Sequence, residues 1–356
     1  MNTTSDGNKP NLVLKPLAKL RTGINQRNGT TPKHRSGLDI ENRKPRVEIC
    51  EEEGLPVRWI NIERAESVEI DWLHRSFEFN PLHLDDVTSY MQRPKLDDFD
   101  DTDYLFLVLH FPVYNKSEKV SVAEEVDIFL GSDYIITVHD GKLNPLNRLF
   151  EQCKNNPGKR HGMLNRSPAY TMYKILDILV EYIFPILNKL SQNLDDVDSK
   201  IFQASSQSTI YQISTVRRDI LAVRRILKPQ ISVLSSLERR KRIVEVGEDD
   251  LEPLYADITD HINKVWDTLE EFREVIESLC STYDSLNTHR LNMVIKTLTI
   301  ISVIMLPLTV ITGFWGMNVK VPFQEEGFEY AFLIILGLMF FSVASMLAIF
   351  KWRKWL

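Results

Sequence analysis

The chain has 356 residues, with 43 basic side chains against 49 acidic ones and a net charge of −6, long enough for a soluble domain with its own core plus appended elements. The charge is unevenly spread: residues 1–45 carry nine Lys or Arg against Asp6, Asp39 and Glu41, which leaves residues 46–356 with 34 basic and 46 acidic side chains, a net charge of −12. An acidic body lacks the basic face that displaces counterions from nucleic acid, so nucleic acid is not expected as a partner and cations are favoured.

Residues 1–45, rich in Asn, Thr, Lys and Pro, read as a disordered basic tail. They hold no apolar run for a secretory signal, while their acid-poor, Arg-containing character leaves a mitochondrial transit peptide open. Residues 46–165 read as an α+β domain. Strands are expected at 47–50, 57–62, 104–113, 125–130 and 134–139, with helices at 65–75 and 81–91 between them. Residues 166–251 are helical in pattern, with helices expected at 168–204, 209–227 and 229–244. Cys50, Cys153 and Cys280 lie far apart without CxxC or other ligand spacing, so neither a disulfide nor a thiolate metal site is expected.

A long stalk helix follows at 252–315. Ile258, Ile262, Val265, Leu269, Phe272, Ile276, Leu279, Tyr283 and Leu286 alternate spacings of four and three, an unbroken a/d seam. The seam fits either packing on the preceding helices of the same chain or self-association about an axis, and its continuity with an apolar span favours the second. No Gly or Pro interrupts 254–306, so 254–314 would form a rod roughly 90 Å long at 1.5 Å per residue.

Two segments can cross a bilayer: 297–319 and 330–350 are free of charge and each is long enough for about 30 Å of hydrocarbon. The membrane part of the stalk helix is placed at about 297–315 and the second span at 330–350, joined by an outer loop at 316–329. Arg290 and Lys296 precede the first span, and Lys351, Arg353 and Lys354 lie in a basic tail at 351–356, whereas the loop sets Lys320 against Glu325, Glu326 and Glu329. The positive-inside rule then puts both termini in the cytoplasm of a multi-pass inner-membrane protein, or on the matrix side if the tail is a transit peptide.

Catalytic engines are missing: there is no GxxxxGK[ST], HExxH or GxSxG, so no enzyme activity and no organic cofactor are expected. Neither span holds Asp, Glu, Lys, Arg or His for a proton relay, so transport would run passively, down a gradient. Asn292, Ile295, Leu298, Ser302, Leu306, Thr309 and Gly313 fall on one helical stripe. Several copies turned inward would alternate polar rings with apolar constrictions, although the hydroxyls could instead bond back to their own helix. Pro307 is expected to kink or weaken this span. At its outer end Gly313 and Gly316 permit a tight turn, Asn318 offers an amide oxygen, and Glu325, Glu326 and Glu329 would concentrate cations at the mouth.

The C-terminal layout resembles the CorA magnesium transporters: Lys296-Thr297-Leu298-Thr299, then Leu306-Pro307-Leu308-Thr309, then Gly316-Met317-Asn318, a second span and Lys354-Trp355-Leu356. Pro81-Leu82-His83-Leu84-Asp85-Asp86 and Gln92-Arg93-Pro94-Lys95 carry the resemblance into the soluble part, over roughly 46–356. It implies a funnel-shaped homopentamer with a cytosolic domain of α/β/α layers, stalk helices lining the pore, and an outer ring of second spans. Gly316, Met317 and Asn318 would be the selectivity loop, with Trp315 where the family commonly has Tyr, and the stripe from Asn292 to Gly313 would be the pore lining. It further implies a regulatory magnesium between neighbouring subunits, held by Asp257 and by Asp103 at the end of the acidic stretch Asp97, Asp98, Asp100, Asp101 and Asp103. The implied activity is passive Mg2+ influx, with Co2+ or Ni2+ as secondary ions, gated by intracellular Mg2+. A ZntB-like zinc transporter, against which Met317 stands, and a membrane-anchored coiled-coil scaffold without transport are the alternatives.

Overall fold

The computed structural model describes residues 43–89, 91–97, 103–202, 207–240, 245–246, 249–318 and 328–355. Chain contacts divide the protein into Met1–Lys44 and Pro45–Leu356, and every element below belongs to the second unit. Residues 1–42 of the N-terminal basic tail, with Asp98, Asp100, Asp101, Glu325 and Glu326, lie outside the described residues.

Chain order is β1 (Val47–Cys50), β2 (Arg58–Glu63), α1 (Ser67–Ser76), α2 (Pro81–Thr88), β3 (Lys95–Asp97), β4 (Leu105–Asn115), β5 (Val120–Leu130) and β6 (Tyr134–His139). Then come α3 (Asn144–Asn155), α4 (Pro157–Leu164), α5 (Pro168–Glu181), α6 (Ile183–Ile201), α7 (Gln207–Glu238), the two-residue strands β7 (Glu245–Val246) and β8 (Asp249–Asp250), α8 (Glu252–Trp315) and α9 (Phe328–Trp352). The main sheet runs β1-β2-β6-β5-β4-β3, with only β2 and β6 parallel.

Alternation along the strands builds a core on each face of the sheet. Leu105, Leu107, Leu109 and Phe111 of β4 point into the larger core shared with α3 to α8, while Phe106 and Val108 point into a smaller one with Leu73 of α1 and Leu84 of α2. This is the expected α/β/α layering. Local chemistry sets the helix starts. Asn80 caps α2 by accepting from the Leu82 amide at 3.0 Å, and a capping box of Glu66 and Glu69 opens α1.

Several boundaries differ from expectation. The segment 168–204 divides at Tyr182 into α5 and α6, because Pro185 in the first turn of α6 has no N–H to continue the hydrogen bonding of α5. The reverse holds in α7, which runs through Pro229 as one helix. A proline inside a helix costs about 3 kcal/mol, but burial of Ile226, Leu227, Val233, Leu234 and Leu237 around it, at roughly 1.5–3 kcal/mol each, outweighs that. The short strand β3 and the helices α3 and α4 had no counterpart in the sequence-based expectation.

The heptad seam is satisfied inside one chain. Ile258, Ile262, Val265, Leu269, Ile276 and Leu279 are buried, and Phe272 and Tyr283 pack half-buried on the same core, with α5, α6 and α7 as the covering helices. The self-association read from the seam is therefore corrected: an apolar 3–4 repeat specifies a partner surface, not whether that surface comes from another chain. Beyond Leu279 the same helix runs unbroken through Pro307 to Trp315, 64 residues in all from Glu252 and about 96 Å long.

Candidate metal centre and ion path

Near the start of α8, Asp257 and His261 are four residues apart and share one face. Asp177 of α5 meets them, and one ligand atom from each of the three lies within 4.8 Å of the others. His261 Nε2 is 3.8 Å from Asp257 Oδ1, while its Nδ1 is buried without a hydrogen-bond partner. The Phe184 ring stands edge-on to the imidazole, with centroids 6.1 Å apart. Burial, followed by the charges of Asp177 and Asp257, pushes the nearby Tyr173 phenol up.

The register of α5 against α8 is set about two turns from Asp177 along α5. The buried Tyr255 hydroxyl donates to the Ala169 carbonyl at 2.7 Å, and Ser167 caps α5 by accepting from the Tyr170 amide at 3.1 Å. This tie fixes which α5 residue faces Asp257. Two carboxylates suit Mg2+, and an imidazole suits Co2+, Ni2+ or Zn2+, so the donor set fits a divalent cation without selecting one sharply. Asp257 stays exposed, which leaves room for water or for a ligand from a neighbouring chain.

Asp103, the other residue expected at a regulatory site, is not in this cluster. It is exposed beside Tyr104, and its charge is felt by Tyr134 on the α1/α2 side of the sheet, where burial already raises the phenol to about 12. Asp97 is engaged elsewhere: it pairs with Lys95, which also holds Asp86 at 2.7 Å, and lies 3.6 Å from His83 Nε2. Asp177 and His261 were missed from sequence. An Asp four residues before a His on a helix was a readable ligand spacing, but Asp177 is 80 residues away and only the packing of α5 on α8 reveals it.

In the membrane half of α8, Asn292, Ile295, Leu298, Ser302, Leu306, Thr309 and Gly313 are all exposed. Val303, Ile304, Pro307, Leu308 and Ile311 are partly covered, and Leu308 lines a groove with Leu333, Leu336, Gly337 and Phe340 of α9. The stripe is therefore the face of α8 turned away from the second span. Thr309 donates its hydroxyl proton to the Met305 carbonyl at 2.9 Å, the back-bonding alternative raised above. The oxygen keeps lone pairs free to accept from water or face a cation.

The helix stops at Gly316, whose N–H donates to the Thr312 carbonyl at 2.9 Å. Its φ of −83° is ordinary, so the glycine is needed for space and not for a left-handed turn. A Cβ there would come within 2.9 Å of the Thr312 oxygen, whereas one at Gly313 would meet nothing. Met317 and Asn318 follow, both exposed. The Trp315 indole N–H is buried without a partner, and the ring packs edge-on to Phe314 at 4.9 Å. Glu329 lies in the first turn of α9.

The geometry has parallels among known proteins. The family described as CorA-like Mg2+ transporter protein matches residues 56–352. YfjQ of Bacillus subtilis is 30% identical over 309 residues, covering 87% of this chain and 93% of its own. The complete structure of the CorA magnesium transporter from Methanocaldococcus jannaschii superposes with a TM-score of 0.74 at 19% identity, covering 86% of this chain and 93% of that one. The ZntB cytoplasmic domain from Vibrio parahaemolyticus shares the fold over 66% of this chain and 89% of its own, with a TM-score of 0.55 at 16% identity. With the matched region running from β2 through both apolar helices, the chain belongs to the CorA-like Mg2+ transporter family.

Proposed function

We propose that the protein is a passive, magnesium-selective channel of the inner membrane, with Co2+ or Ni2+ as secondary ions and both termini in the cytoplasm. The observation that carries this reading is the uncovered stripe on α8 from Asn292 to Gly313, which leads directly to Gly316-Met317-Asn318. In a homopentamer with α8 innermost, that stripe becomes the wall of a pore whose neutral oxygens suit a cation that sheds water reluctantly. Asn318, Met317 and Gly316 form the entrance, and Glu325, Glu326 and Glu329 enrich cations outside it.

Control lies at the other end of α8. Asp257 and Asp177 with His261 hold a cation at the flank of the soluble domain, and Asp103 of a neighbouring subunit completes the shell. An ion bound only in the closed arrangement stabilises it by RT ln(1 + [L]/Kd), so closure weakens as intracellular Mg2+ is depleted. The ZntB-like fold and the imidazole in the donor set favour zinc as the second reading.

Flux into proteoliposomes separates these readings. Purified wild type should pass Mg2+ faster than Co2+ and Zn2+, and Asn318→Ala should lose at least about tenfold of the Mg2+ flux, the loss of one selectivity interaction of 1.4 kcal/mol or more. Unchanged Mg2+ flux in Asn318→Ala would remove the entrance role, and preference for Zn2+ would replace the magnesium reading.

A further inference from the structure

The fold brings together two thiols that lie 103 residues apart in sequence. Cys50 ends the edge strand β1 and Cys153 lies on α3, with Sγ to Sγ at 3.0 Å. All three cysteines are free thiols, in line with the absence of a disulfide expected from sequence, but sheet and helix packing sets an approach of Cys50 to Cys153 that spacing does not reveal. Both side chains are almost completely buried, 2% and 0% exposed, yet Cys50 is followed directly by exposed residues 51–54, so the pair lies just beneath the surface.

A cation is stationed over the pair. Arg160 of α4 donates from Nε to the Cys153 carbonyl at 3.2 Å and from Nη1 to Glu52 Oε2 at 3.3 Å, and also reaches the Lys154 carbonyl. These bonds anchor its guanidinium on the Cys153 helix end and on Glu52, two residues from Cys50, near enough for its charge to act on the Cys50 sulfur. The Cys153 hydrogen bond first, and Arg160 after it, bring the Cys50 thiol down to about 7 against the raising effect of burial, while Cys153 is pushed up. Cys280, on α8, has a raised pKa, chiefly from burial. One poised thiolate, one resolving thiol and one guanidinium make an asymmetric dithiol, the arrangement of a redox-responsive site.

We propose that Cys50 and Cys153 form a reversible, peroxide-responsive disulfide that fastens β1 to α3, with Arg160 activating Cys50. The Cys50 thiolate attacks one oxygen of a hydroperoxide, the O–O bond breaks, and the departing oxygen takes a proton to leave as water or an alcohol. Cys50 is then a sulfenic acid. The Cys153 sulfur attacks it, the S–O bond breaks, the Cys153 proton leaves with the hydroxyl as water, and the S–S bond forms. Two electrons pass from the two sulfurs to the peroxide. An external dithiol restores both thiols by exchange. Closing the bond needs the sulfurs to approach by about 1 Å, to a length of about 2.05 Å.

The test uses the full-length protein in detergent, treated with hydrogen peroxide at pH 7, quenched, denatured and alkylated. Reduced protein should take up alkyl groups on all three cysteines, and oxidised protein only on Cys280, with a mass lower by about 2 Da before alkylation, a linked Cys50–Cys153 peptide and full reversal by dithiothreitol. Oxidation should raise Tm by roughly 5–10 °C, as expected for closing a loop of this length. Arg160→Gln should slow the reaction by about three- to fivefold at pH 7 by removing the second of the two groups that lower the Cys50 thiol, and a wild-type rate would overturn its activating role. Cys50→Ser should keep two alkylatable thiols after peroxide, whereas Cys153→Ser should keep only Cys280 alkylatable and hold Cys50 as a sulfenic acid that a dimedone probe labels. Three free thiols in treated wild type, a link involving Cys280, or over-oxidation of Cys50 without a link would overturn the proposal. The readout is independent of ion flux, so it stands or falls separately from the channel reading.

Discussion

The two halves of α8 obey opposite rules. From Tyr255 to Leu279 the seam residues Ile258, Ile262, Val265, Leu269, Ile276 and Leu279 are buried against helices of the same chain, whereas from Leu291 to Phe314 large apolar residues such as Ile295, Leu298, Leu306 and Val310 stand bare on most of the circumference. The perfect heptad pattern lies in the covered half, so it encodes monomer folding. The less regular pattern in the bare half, with Ser302, Thr309 and Gly313 interleaved, leaves surface for lipid and for other copies. A regular seam thus specifies a covering surface without saying which chain supplies it, and here the same chain supplies it.

The strongest way to break this comparison is a matched pair of truncations. Leu269→Ala, in the covered half, should cost about 2–5 kcal/mol by leaving a cavity, read as a large fall in Tm and loss of folded protein. Leu298→Ala, in the bare half, should leave Tm nearly unchanged and alter ion flux. Equal thermal effects would erase the distinction.

A pH titration sharpens it from outside the helix. In the sheet supporting the covered half, His139 accepts from the Gly141 amide at Nδ1, with Nε2 3.1 Å from Asn61 Oδ1, and burial lowers its pKa to about 4. Because the folded value lies below the unfolded one of about 6.5, the unfolded chain binds the extra proton between them. Stability is therefore fully present above about pH 6.5 and lost as pH falls toward 4, by about 3 kcal/mol in total. Thermal melts at pH 7.5 and 5.0 should show the loss in wild type and a smaller one in His139→Gln. Asp127 acts in the opposite sense. Burial raises its pKa well above the usual value and Oδ1 has no partner, so Asp127→Asn should raise Tm at neutral pH. The span 297–319 has nothing to titrate.

A smaller effect is expected at the junction of soluble domain and stalk. Asp177→Asn or His261→Ala should weaken Mg2+ inhibition of flux by about 5–30-fold, equivalent to 1–2 kcal/mol of ion binding, with little change in Tm because the cluster is only half-buried. Wild-type inhibition in both would remove these residues from the regulatory site.

Much of the architecture was legible in the sequence, for reasons visible in particular residues. The strands at Val47–Cys50 and Tyr134–His139 fall where β-branched and aromatic residues cluster, and the two apolar spans announce themselves by length and lack of charge. What stayed hidden depends on contacts. β3 is three residues long, too short for any periodicity. Helices α3 and α4 open with Asn144-Pro145 and Pro157-Gly158, which read locally as turns. Pro229 signals a boundary that surrounding burial overrides, whereas Pro185, in the first turn of α6, sits at a real one. In the membrane half, the one-sided stripe could be read from spacing, while the proposed role of Gly316-Met317-Asn318 rests on the resemblance to CorA transporters. Asp177 and the Cys50–Cys153 approach could not, since each joins segments that meet only after the sheet and helices have packed.

The central claim, that the uncovered stripe of α8 is the path of the ion, is tested most directly by thiol accessibility in a chain with Cys50, Cys153 and Cys280 replaced by Ser. Single cysteines at Ser302 and Thr309, on the stripe, and at Val303 and Leu308, toward α9, would be exposed to a small charged thiol reagent during Mg2+ flux. The account predicts that modification at Ser302 and Thr309 blocks flux and is slowed by high Mg2+, while Val303 and Leu308 do not react. Block from the α9-facing positions, with the stripe positions inert, would contradict it.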